Sequence, residues 1–203
     1  MLSNLVKRVP VASFIGGTIA APAHSLPPAM HICYDTETPE KLCYTKPDNV
    51  LQDVLVNDVK FIAAYLHSYG AEVRTGRLFS MAATDAPDCG EWLLYARGTA
   101  QAFAKHIDNT VDSSVLFADI AATIDGGAGA NATQQTASLL GCGTDGGSLG
   151  VVVDIDNPTY KSSKYPTGYV TSGILVKIVA SGALELRLYI DGPARTEALA
   201  GDP

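Results

Sequence analysis

The sequence predicts an α+β fold, with central helices packed on one face of a mostly antiparallel sheet in the manner of an α/β sandwich. Two observations carry that expectation. Through the middle of the chain apolar residues recur at helical spacing, bounded by capping residues and glycines. In the last third the pattern changes to β-branched runs and strict alternation, the period of half-buried strands. Helices followed by strands, with no repeat and no second composition, indicate one such layered domain. The expected organisation is a signal peptide over 1–23, a proline-containing leader and cysteine loop over 24–49, a single domain over 50–191 and a flexible tail over 192–203.

Each element follows from local chemistry. Asn57 is a good N-cap, Val59, Ile62, Ala63 and Leu66 share one helical face, and Gly70 suits the left-handed position after a helix. Arg77–Met81 reads as a strand. Asp88 and Glu91 match a capping box, and Trp92, Ala96, Thr99, Phe103 and Ile107 keep helical spacing behind it, so 88–107 is expected to be the central helix. Gly98 is out of place inside that pattern, since glycine costs a helix interior about 1 kcal/mol relative to alanine. It signals a kink or the close approach of another backbone. Asp112-Ser113-Ser114 would cap a third helix over 115–124, stopped by Gly126-Gly127, and Thr133 to Leu140 forms a shorter fourth ending at Gly141. Gly150–Ile155 is β-branched and reads as a buried strand. Runs over 168–179 and 183–190, joined at Ser181-Gly182, predict a hairpin.

Composition narrows the function. The 203 residues carry a net charge of −7, and removing 1–23 with Lys7 and Arg8 makes it −9. An acidic chain without a Lys/Arg cluster speaks against nucleic acid and against an anionic membrane surface as partners. Lys7-Arg8, the apolar stretch from Val9 to Ala21 and the small-x-small site Ala21-Pro22-Ala23 form a secretory signal pattern. The four cysteines, Cys33, Cys43, Cys89 and Cys142, are an even set that suits an oxidising compartment. Three pairings exist; Cys33–Cys43 with Cys89–Cys142 is preferred, the second stapling the central helix to a glycine-rich turn. Asn131-Ala132-Thr133 is a glycosylation acceptor.

The chemistry-bearing motifs fail their structural contexts. Gly141-x-Gly143-x-x-Gly146 matches a dinucleotide fingerprint and Gly146-x-Ser148-x-Gly150 a nucleophile elbow, but both require strand, then glycines, then helix. Here a helical pattern precedes and valines follow. No metal ligand set is expected: the chain has no C-x-x-C pair, its histidines lack ligand spacing, and Asp154 with Asp156 lacks the glycine and distal glutamate of a calcium loop. No cofactor and no catalytic residue is therefore assigned. The hydrolase alternative requires Ser148, Asp154 and His106 to converge. His106 is otherwise expected to complement the dipole at the end of the central helix.

A signal pattern ending Ala21-Pro22-Ala23, four cysteines, and the run from Asp88-Cys89-Gly90-Glu91-Trp92 through Val111-Asp112-Ser113-Ser114-Val115-Leu116-Phe117 together resemble the effector-like and killer-toxin-like group of small secreted fungal proteins. The resemblance covers residues 24–190 in style and supplies no site residues. It implies helices on an antiparallel sheet and action outside the cell, on an unknown protein or membrane component of a target cell. Many such toxins are cut at dibasic sites, and the only adjacent basic pair here is Lys7-Arg8. The expected function is thus a secreted, disulfide-stabilised, non-enzymatic effector or toxin-like protein. The alternatives left open are the hydrolase and a self-assembling homo-oligomer built through the strands at 168–190.

Overall fold

The computed structural model describes residues 37–182. The expected signal peptide, Cys33, the run over 183–190 and the tail over 192–203 lie outside the described residues. Within them the chain is α+β, as its patterning predicts. Seven strands, β1 (Leu42–Cys43), β2 (Leu78–Met81), β3 (Glu91–Arg97), β4 (Ala100–His106), β5 (Ser113–Leu116), β6 (Gly147–Gly150) and β7 (Ile174–Ala180), alternate with three helices, α1 (Val56–Ala71), α2 (Phe117–Asp125) and α3 (Ala132–Ala137). The strands make an antiparallel sheet in the order β1-β6-β7-β4-β3 and a separate β2-β5 ribbon.

The largest correction concerns 88–107. It is a hairpin, β3 and β4 closed at Gly98-Thr99, with Arg97 opposite Ala100. The segment Ala100-Gln101-Ala102-Phe103-Ala104-Lys105-His106 satisfies period two as well as a helical period. Pairing on both sides, with β3 and with β7, selects the strand. Ala100, Ala102 and Ala104 are fully buried on one face, while Gln101, Phe103 and Lys105 are only partly covered. Gly98 has its physical reason in the turn: its φ is +51°, and a Cβ there would sit 2.3 Å from the Asp58 carboxylate.

The alanine face is where α1 lies. Val59, Ile62, Ala63 and Leu66 are buried beneath it as the spacing predicts. The helix runs through Gly70 instead of ending there, and Gly70 is a point of close approach to α2: an added Cβ would meet Phe117 Cβ and the Ala118 nitrogen at 3.2 Å. The third helix starts two residues later than its expected Val115. Ser113–Leu116 pairs with β2 first, so a strand takes the place of the cap and first turn. Its expected stop holds: Gly126 is left-handed and donates to the Ala122 carbonyl. The fourth helix shortens to α3, and Leu139–Cys142 becomes a 3-10 turn. The strand expected over 150–155 is displaced to β6. Val151 to Asp154 runs on without a ladder, and Val152 and Ile155 are exposed.

The preferred disulfide pairing is also overturned. Cys43 bonds Cys142, with Cα atoms 5.3 Å apart across 99 residues of sequence. Leu42–Cys43, expected in a leader ahead of the domain, is the edge strand beside β6, which brings it to the 3-10 turn that carries Cys142. Gly147 makes room, since a Cβ there would stand 2.9 Å from the Cys142 sulfur and 2.5 Å from the Leu42 carbonyl oxygen. Cys89 lies beside β3, at the opposite edge of the sheet, and is itself disulfide-bonded.

A cross-link closing so long a loop restricts the unfolded chain strongly. Replacing Cys43 and Cys142 together by alanine should lower the unfolding free energy by about 4 kcal/mol, read from urea titration. An unchanged midpoint, or a non-reduced peptide map joining Cys89 to Cys142, contradicts the pairing.

Candidate functional site

The residues of the hydrolase alternative are held apart. Ser148 stands opposite Lys177 in the sheet register and His106 opposite Ile174, three residues along β7, so their side chains occupy opposite faces. Asp154 is exposed and accepts a local bond from the Asp156 N–H, while Asp156 pairs with Lys161. Among the described residues no cluster of His, Cys, Asp and Glu has the geometry to hold a metal ion. The glycines at 141–146 lie between a helical turn and a strand, the order the sequence predicts and the wrong one for a phosphate loop. Asn131 is exposed and caps α3. Its side-chain oxygen accepts from the Gln134 N–H, while the Gln134 side-chain oxygen accepts from the Asn131 N–H. The capping box is therefore here and not at Asp88, and the Asn131 side-chain nitrogen that a glycan would occupy takes no part in it.

His106 ends a strand instead of a helix, so the expected dipole role falls away. It is fully buried, with Nε2 3.2 Å from the Ser113 hydroxyl. Burial pushes its imidazole below the usual 6.5, against the opposing pull of Asp108 and Asp112. Around it, Ile107 donates to the Gly173 carbonyl and Asn109 to the Pro87 carbonyl, knitting three loops at one end of the sheet.

On the face of the sheet away from α1, Lys105 and Lys177 share the Glu37 and Glu91 carboxylates. Lys177 bonds each at 2.7 Å, and Lys105 bonds Glu37 and lies 3.7 Å from Glu91. Burial alone would raise the Glu37 carboxyl, but the two ammonium groups outweigh it and hold it below the ordinary value. The same carboxylates keep Lys177 protonated well above the usual lysine range, against the cost of its burial. Every charge in the group has an opposite partner, so the group clamps β3, β4 and β7 to the segment at Glu37.

The feature that presents itself outward is on the other flank. Along α1, Phe61, Tyr65 and Tyr69 recur every four residues and meet the edge strand β3 at Tyr95. The rings of Tyr65 and Tyr95 stack with centroids 3.8 Å apart, Phe61 lies 6.4 Å from Tyr95, and Tyr69 lies 6.1 Å from Tyr65. A guanidinium closes each end: Arg97 lies 4.4 Å over the Phe61 ring and Arg77 lies 4.0 Å over the Tyr69 ring. Arg77 is further fixed by Glu72 at 2.8 Å and by the Tyr69 hydroxyl at 3.1 Å. Phe61 and Tyr65 remain 43% and 38% exposed, and neighbouring Leu55 57%. The hairpin tip is locked to the helix start, because Asp58 accepts from the Thr99 N–H and hydroxyl and Thr99 accepts from the Leu55 N–H.

The helical half of this ladder is legible in the sequence as aromatics at i, i+4 and i+8. The contribution of Tyr95 and Arg97 is not, because it exists only once 88–107 is a hairpin. Comparison with protein-family models, with curated proteins and with solved structures finds no match to this chain.

The buried histidine gives the fold an acid sensitivity whose sign is fixed. Above pH 6.5 His106 is neutral folded and unfolded; below it the unfolded chain takes up a proton that the folded chain refuses until its own lower value is reached. Stability therefore falls as pH drops from 7 towards 5, by up to about 1.4 kcal/mol per pH unit. Asp119, which burial raises, works in the opposite sense, and Glu37 and Asp125 act at more acid pH. The difference between the native chain and His106→Gln isolates the histidine: urea midpoints should converge as pH falls from 7 to 5, and parallel profiles contradict the assignment.

Proposed function

We propose that this chain is a secreted, disulfide-stapled recognition protein of effector or killer-toxin type. It acts outside the cell that makes it by binding a protein component of another cell, and it carries out no chemical step of its own. The ring ladder Phe61, Tyr95, Tyr65 and Tyr69, capped by Arg97 and Arg77, is the observation that carries this reading. Tyrosine, phenylalanine and arginine are the residues that concentrate binding energy at protein interfaces, and rings already stacked lose little freedom when a partner covers them. Arg97 sits exposed at the rim of the patch, where it can meet a partner's carboxylate or carbonyl. The export pattern over 1–23 and the Cys43–Cys142 bond support an extracellular setting.

Side chains, not the strand edge, make the contact. β3 is an outer strand, but its register shifts between Leu93 and Tyr95, and such a bulge discourages the addition of another strand. Within the described part of 168–190, β7 is flanked by β4 and β6 and offers no free edge, while 183–190 lies outside the described residues.

Binding of the dye-labelled protein to intact responsive cells tests the reading. Tyr65→Ala and Arg97→Ala should each weaken the half-saturation concentration by about tenfold or more, a cost of about 1.4 kcal/mol or more. Lys161→Ala, away from the ladder, should leave it unchanged, and so should Ser148→Ala. Retained binding by both ladder variants overturns the proposal.

A further inference from the structure

Beyond the Tyr69–Arg77 end of the ladder, the chain turning out of α1 faces the loop at 157–162 across a cleft of about 680 Å³, the size range of small-ligand sites. Gly70, Ala71 and residues 73–76 form one wall and residues 157–159 with Ser162 the other, with Leu116 between them. The walls are tied: the Thr159 hydroxyl donates to the Thr75 carbonyl, and the Tyr160 hydroxyl bonds Asp119 and accepts from the Leu116 N–H. The cleft is thus preformed, and a ligand need not order it.

Its lining is unlike the rest of this acidic protein. No Asp or Glu lines it, while Arg74, His67 and Asn157 do. Arg74 is exposed and has no ion-pair partner among the described residues. The acids that adjoin the lining are already engaged, Asp119 with the Tyr160 hydroxyl and Asp156 with Lys161. Glu72 pairs with Arg77, and Asp125 is held by the His67 Nε2 at 3.1 Å and by the Gly127 N–H at 2.8 Å. The carbonyls that would make the end of α1 repel an anion are partly capped as well, Tyr69 by the Arg77 Nε–H and Gly70 by the Arg77 backbone N–H. Asn157 spends its side-chain oxygen on the Thr159 N–H, leaving its two amide hydrogens to donate. Val73, Leu116 and Pro158 supply an apolar surface beside these donors.

We propose that this cleft binds a small carboxylate with an apolar body. The carboxylate sits on the Arg74 fork with the Asn157 amide beside it, and the body lies against Leu116 and Pro158. Arginine's planar pair of N–H groups matches a carboxylate, and the absence of acids from the lining removes the repulsion that the net charge of −7 would otherwise impose.

Amide ¹H–¹⁵N spectra of the full chain, titrated with hydrocinnamate and octanoate and separately with the neutral hydrocinnamide, test this. Either carboxylate should give saturable shifts concentrated at 70–76 and 157–162, with hydrocinnamide at least about tenfold weaker than its acid. Arg74→Ala, at an exposed position the fold does not use, should weaken the carboxylates by about tenfold and leave the spectrum elsewhere intact. Arg74→Lys should fall between the two, since it keeps the charge and loses the fork. Absence of saturable shifts at these residues up to ~10 mM, equal affinity for acid and amide, or unchanged binding by Arg74→Ala overturns the proposal. Ladder variants such as Tyr65→Ala should leave these titrations unchanged, so the cleft and the recognition surface fail or stand separately.

Discussion

The structure depends on a strip of methyl groups. Ala100, Ala102 and Ala104 occupy successive inward positions of β4 and are fully buried, flanked by Val176 and Ile178 of β7. Their small size lets α1 lie close to the sheet, so that Val59, Ile62 and Leu66 reach its surface and α2 can in turn come within contact of Gly70. Larger residues on that strip would lift the helix, and closely packed interiors absorb such additions only by shifting backbone or straining rotamers. The helix position set by the strip also sets what stands at its flank. Tyr65 meets Tyr95 because α1 is low enough for its outer side chains to overlap those of the edge strand.

The remaining restraints fix the sheet that carries the strip. At one edge the Cys43–Cys142 bond ties β1 to the turn before β6. On the face away from α1 Lys105 of β4 and Lys177 of β7 pair with Glu91 of β3 and with Glu37, a clamp that stabilises register as well as charge, because a slip of one residue would send each lysine to the alanine face. At the hairpin tip, Asp58 and Thr99 join the start of α1 to the turn, and the Ser181 N–H and hydroxyl reach the Thr99 and Gly98 carbonyls. The ladder and the cleft thus rest on a frame restrained on several sides, which suits recognition by preformed surfaces.

How much of this the sequence discloses depends on how local its cause is. The α+β class, α1 and the strand at 78–81 follow from spacing, and the end of α2 follows from Gly126 in its left-handed conformation. The hairpin at 91–106 does not, because Trp92, Ala96, Thr99 and Phe103 keep helical spacing while Ala100, Ala102 and Ala104 keep strand spacing, and only neighbours in the sheet decide between them. Gly98 was the local clue, costly in a helix and required in a turn at φ +51°. The disulfide pairing was illegible for the same reason: it follows from β1 joining the sheet beside β6, a contact between residues about a hundred positions apart. Of the recognition surface, the aromatics of α1 could be read from the sequence and those of β3 could not. Arg74 and Asn157 become neighbours across a cleft only through tertiary packing.

The edge strand, the ladder and its guanidinium caps all descend from one outcome, strand pairing of β4 overriding the helical pattern of 88–107. Nuclear Overhauser contacts in solution measure it directly. The hairpin predicts strand-type contacts between Ala96 and Gln101 and between Trp92 and Ala104, together with contacts between the rings of Tyr65 and Tyr95. Sequential amide–amide contacts of a helix from Glu91 to His106, with no contact between those two rings, contradict both the hairpin and the surface built on it.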